Sequence, residues 1–77
     1  MESQQHGLPA LFRQLGLADE PEAIRTFVAA HGPLDAALAL HDASFWSPAQ
    51  AQFLRQSKAD DADWAEVVDE LDVMLRR

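Results

Sequence analysis

Cysteine is absent from the 77 residues, which removes disulfides, thiolate zinc sites and thiol nucleophiles together and suits a reducing cytosol. Basic residues are scarce: six Lys and Arg stand against thirteen Asp and Glu, a formal net charge of −7. That balance opposes binding to nucleic acid and to anionic membrane surfaces. Glycine occurs three times, at positions 7, 16 and 32, and forms no Gly-rich phosphate loop. No apolar run is long enough to span a bilayer, and the opening MESQQHG has neither the basic flank nor the apolar stretch of a secretory signal. The expected location is therefore the cytoplasm. Internal repeats, low-complexity segments and long linkers are missing too.

What is present is a composition of 48% hydrophobic and 25% charged residues, ordinary for a soluble globular chain and too apolar for disorder at this charge. Seventy-seven residues suffice for one domain, near the lower size limit of an unassisted core. The expectation is a single all-α domain over 1–77, a compact bundle of about four short helices, with 1–6 a disordered tail.

Glycine and proline punctuate the chain into helical pieces. In LPALFRQLG, Leu8, Leu11, Phe12 and Leu15 share one face at helical spacing and Gly16 supplies the stop. The second piece reads from Asp19 as N-cap, with Pro21 in the first turn and Glu22 three residues after the cap, to Gly32-Pro33. Its buried stripe is Ala23, Ile24, Phe27 and Val28, and a step of about 100° per residue puts His31 in that stripe, half-buried, at the last turn. Between 33 and 45, Leu34, Ala36, Leu38 and Leu40 fall at every second position as in a strand, while the alanines favour helix. A lone strand has no partner here, so the segment reads as a helical turn or extended connector packed by its leucines.

Ser47-Pro48-Ala49-Gln50 combines an N-cap serine, a proline at the first helical position and a glutamine at the capping-box position. Trp46 precedes the cap, where an apolar residue packs back on the first turn, and Ala49, Phe53 and Leu54 continue the apolar face with Gln50 inside it. The last helix starts between Asp60 and Asp63, with Asp63 and Glu66 as a second capping box. Its stripe is Trp64, Val67, Val68, Leu71, Met74 and Leu75, and Val73 alone faces the acidic side. Seven of the thirteen acids lie between 60 and 72 with no base among them, a run that is most often solvated surface. Arg76 and Arg77 complement the helix dipole.

The segments HGLPALFRQLGL, IRTFVAAHGPL, ASFWSPAQAQFL and DADWAEVVDELD occur in that order. Together they resemble a family of short bacterial proteins of unknown function, over His6 to Leu75, and the Phe-Trp-x-x-x-Gln and Asp-x-Asp-Trp-Ala stretches are the most distinctive parts. The resemblance implies a compact helical bacterial protein and transfers no activity or site to these positions.

The chemistry-bearing residues do not assemble a reaction. A metal site would need His6, His31 and His41 to converge with carboxylates such as Asp35 or Asp42, yet no two histidines are one helical turn apart, and His41 and Asp42, as chain neighbours on a helix, would not face each other. The serines read as caps or solvent-facing residues, not activated nucleophiles, and carboxylates on an exposed helix lack the desolvation that would set their pKa values apart. The expectation is no enzyme, no cofactor and no metal. Tryptophan and phenylalanine are enriched both in cores and at interfaces, so the candidate interaction surface is Phe45, Trp46 and Trp64 with Val73, Asp69 and Glu70, and core packing is the stronger reading of the aromatics. Short helices around a small core favour burial of leftover apolar surface against a weak homodimer or another protein partner. The alternative from another class is a small-molecule or metal-binding protein using His31, His41 and an aromatic cleft. Mimicry of nucleic acid by the acidic helix rests on charge alone.

Overall fold

The computed structural model describes residues 7–60 and 62–77; the expected tail, with His6, lies outside them. Four α-helices follow in order: α1 Leu8–Gln14, α2 Pro21–His31, α3 Pro48–Asp60 and α4 Ala62–Leu75, with one 3-10 turn over Leu40–Asp42 and no strand among the described residues. The all-α bundle read from periodicity is the fold observed. One core joins the helices: Leu11, Phe12 and Leu15 of the α1 region, Ile24 of α2, Leu54 of α3, and Val67, Val68, Leu71 and Leu75 of α4 are all buried, together with Leu40, Ala43 and Trp46.

Gly16 ends α1 at φ 76°, in the left-handed region that glycine enters without strain. Its N–H donates to Arg13 O (3.0 Å) and the Leu17 N–H to Phe12 O (2.8 Å), the paired bonds of a Schellman ending. The start of α2 differs from expectation. Its N-cap is Glu20, with no side-chain cap bond, because the residue before Pro21 is forced out of the helical region and therefore cannot be a residue inside the helix. Asp19 instead pairs with Arg13 at 3.4 Å.

The α3 start is as read. Gln50 Oε1 accepts from the Ser47 N–H at 2.8 Å, and the Gln50 N–H donates to Ser47 Oγ at 3.1 Å, so the capping box is closed in both directions. Gln50 does more than cap: its Nε2 donates to Leu15 O at 2.8 Å, tying the first turn of α3 to the open end of α1. The buried side of α3 is Leu54 and Ser57, with Ala51 and Phe53 partly buried and Ala49 exposed. Ala49 thus leaves the apolar face, and Ser57, read as a cap or surface residue, is buried. Leu54 and Ser57 lie three apart, so the burial follows the helical face and carries the serine in with it.

Helix α4 begins at Ala62, inside the expected window, which makes Asp63 a residue of its first turn and not an N-cap. The Asp63–Glu66 capping box is therefore not the start of this helix, since a capping residue must be non-helical. The stripe itself is as expected: Val67, Val68, Leu71 and Leu75 are buried, Trp64 and Met74 pack partly against them, and Val73 is 52% exposed.

Residues 33–39 form an irregular connector beyond a cis Gly32-Pro33 bond. A Cβ at Gly32 would lie 3.0 Å from both Leu75 O and Val28 O, so the ends of α2 and α4 meet at this glycine. The Leu34 N–H donates to Leu75 O at 2.7 Å. The Arg76 guanidinium donates to Asp72 Oδ1 (2.7 Å), Asp35 O (2.7 Å) and Leu38 O (2.6 Å). Arg76 thus does more than complement the helix dipole: it holds the connector in place.

Candidate functional site

The aromatic pair Phe45-Trp46 belongs to a cluster centred on Phe27 of α2. Phe27 meets Phe12 edge-on (5.4 Å between ring centroids), stacks on Trp46 (5.5 Å, 28°), meets Phe45 edge-on (5.7 Å) and lies 4.4 Å from the His31 ring. Such offset and edge geometries add to simple area burial. Trp46 is only 7% exposed, and its Nε1–H donates to Leu40 O at 2.9 Å, so the one polar atom of the indole is satisfied inside the core. Trp46 therefore leaves the candidate interaction surface. What turns the indole inward is its stack on Phe27 and its bond to Leu40 O.

The remaining candidates do not share one patch. Phe45 is half-buried against Phe27 and stacks on His31 at 4.4 Å, whereas Trp64 is half-buried on the other side, edge-on to Phe53 of α3 at 5.8 Å. Asp69, Glu70 and Val73 are exposed together on one face of α4, as their spacing of three and four requires. Lys58 reaches this face, 3.5 Å from Asp69 and 3.2 Å from Asp72; exposed pairs of this kind contribute little to stability.

The histidines are also separated. His31 is exposed, not half-buried, because α2 sits at the edge of the bundle and its last turn is covered on one side only, by Phe27 and Phe45. His41 lines a cleft between the connector, α3 and α4, whereas His31 lines a different one between α1 and α2. The alternative site that joined His31 and His41 is not assembled by the fold. His41 does approach Asp42, at 3.6 Å between Nε2 and Oδ1. Among the described residues no group of three or more His, Asp and Glu converges as for a metal ion.

What sequence reading missed is the groove itself. Leu17, Ala18, Ala23, Thr26, Phe27, Ala30 and His31 surround an open space of about 430 Å³ with the buried Phe12 at its base. No carboxylate, ammonium or guanidinium lines it, on a chain of net charge −7. The small residues at 23 and 30 are the available signal, because they leave space beside Phe27 that a larger side chain would fill.

Four helices on one core with an apolar groove between α1 and α2 define a small all-α protein. The chain belongs to the family described as "Protein of unknown function (DUF2789)", whose model matches residues 1–75. It is similar to the solution NMR structure of protein CV0237 from Chromobacterium violaceum, with 54% sequence identity and a TM-score of 0.81 over 99% of this chain and 95% of the other. Among curated proteins, none matches the chain. The family and the shared fold agree with the resemblance read from the sequence. No helix among the described residues is long and apolar enough to cross a membrane.

Proposed function

We propose that this protein is a non-catalytic interaction module of the cytoplasm that docks an apolar segment of another protein chain, or of a second copy, in the groove between α1 and α2. The observation that carries the reading is the incomplete burial of α2. Of its eleven residues only Ile24 is buried, and Phe27 keeps part of its apolar surface open to water beside a groove lined without formal charge. Apolar patches of this kind on small proteins are the usual sites of protein contact, and the depletion of charge at the centre of the patch is the compositional mark of an interface core.

Ala30→Arg tests this directly, since Ala30 is exposed and the substitution fills the groove with a charged chain while leaving the core untouched. The parent is expected to self-associate in light scattering at high concentration, or to retain a stoichiometric protein from native extract. Ala30→Arg should lose that association with an unchanged melting temperature. A parent that stays strictly monomeric and retains nothing that the variant loses would sink the proposal.

A further inference from the structure

The connector is attached to the rest of the molecule in an unusual way. Its alanines, Ala36, Ala37 and Ala39, are exposed, and Leu34 and Leu38 are only half-buried. Beneath it lies a cleft of about 470 Å³ floored by Leu40, Leu54 and Val68, three residues that are each at most 3% exposed. The connector spans this space without filling it. Its tertiary hydrogen bonds come from two adjacent residues at the end of α4: Leu75, whose carbonyl accepts from the Leu34 N–H, and Arg76, whose guanidinium holds Asp35 O and Leu38 O. Both boundaries are firm. Gly32 sits where an added Cβ would come within 3.0 Å of Leu75 O and Val28 O, and Leu40 is held through its carbonyl by the Trp46 indole.

We propose that residues 33–39 are a strap that opens as a unit while the helices stay folded, with Arg76 as its latch. A planar guanidinium offers several donors in fixed directions, and it is this fork that spans the two carbonyls; Asp72 aims it by accepting from Nε. Release of the Arg76 fork gives up two of the three attachments at once and leaves the connector held by the Leu34 N–H on Leu75 O alone. Opening exposes the Leu54 and Val68 floor. Any ligand or partner that binds that floor, or that takes Arg76 for itself, shifts the population toward the open form by its preference for it.

Amide hydrogen exchange of the intact protein at increasing urea tests the proposal. The Leu34 and Leu38 amides, which donate to Leu75 O and Asp35 O, are expected to exchange through an opening insensitive to low urea, whereas the Leu54 and Leu71 amides exchange only with global unfolding. Arg76→Met keeps the aliphatic stem and should speed exchange at Leu34 and Leu38 by roughly tenfold or more while leaving Leu54 and Leu71 within about twofold. Arg76→Lys should behave like Arg76→Met, because an ammonium keeps the charge beside Asp72 but loses the fork. Three results would each overturn the latch: Leu34 and Leu38 following the same urea dependence as Leu71 in the parent, equal acceleration of all four amides in Arg76→Met, or full protection retained in Arg76→Lys.

Discussion

Helices α2 and α4 carry apolar stripes of the same period, yet α4 buries Val67, Val68, Leu71 and Leu75 and α2 buries Ile24 alone. The difference is one of position. Helix α4 packs against α1, α2 and α3, while α2 touches α1 and α4 and has open water on its outer side. Periodicity tells which face of a helix turns inward; how deep that face lies depends on how many neighbours reach it. The shallow helix is the one that borders the apolar groove, and the deep one supplies the attachment points for the connector.

The largest expected effect lies at the joint between the two regions. Trp46→Ala removes an indole that stacks on Phe27 of α2 and bonds Leu40 O, and should cost about 4 kcal/mol in chemical denaturation. A variant that unfolds like the parent would mean that α2 is not held to the core through this residue. Next comes the contrast itself. Leu71→Ala, at a fully buried site, is expected to cost about 3 kcal/mol, against about 1 kcal/mol for Val28→Ala on α2, where the lost methyls are already half in water. Equal losses would erase the distinction between a deep and a shallow helix.

Gln50 sharpens the comparison at the start of α3. In an ordinary capping box glutamate serves as well as glutamine, but here Nε2 also donates to Leu15 O. Gln50→Glu would set a carboxylate oxygen against that carbonyl and should cost about 1.5 kcal/mol; a neutral result in urea titration would show that the tie to α1 contributes nothing. The smallest effect belongs to the cap. Ser47→Ala should lose about 1 kcal/mol and Ser47→Asp almost nothing, because aspartate accepts the same N–H, and a thermal melt separates the two.

The local features of the fold were legible wherever the physics is local. The Schellman ending at Gly16, the Ser47–Gln50 box and the α4 stripe each depend on residues within a few positions of one another, and each is where the spacing put it. The misreadings share a cause as well. Asp19 was the better capping residue by type, but Pro21 moved the cap to Glu20. Asp63 looked like a cap because residues beyond the start of α4 are also good at capping. His31 lay on the right face by angle, and only the absence of a third neighbour beside α2 left it exposed. Ser57 was judged by its hydroxyl, whereas its place on the face of Leu54 decided its burial.

The candidate site was legible in its parts and not in its assembly. Phe45 and Trp46 were recognised as an unusual pair, but whether the indole pointed inward depended on Leu40 presenting a carbonyl to it. The connector was recognised as irregular; what holds it is an arginine 38 and 41 residues away from its two carbonyl partners. By itself the sequence determined an all-α chain of about four short helices, their faces and most of their ends, since hydrophobic period, proline and glycine act over a turn or two. Only the tertiary structure decided which stripe would be covered completely, that Phe12 and Phe27 would meet beside a space left by small residues, and that Arg76 would close on the connector. Those outcomes depend on contacts between residues far apart in the chain, and no local preference encodes the distance between them.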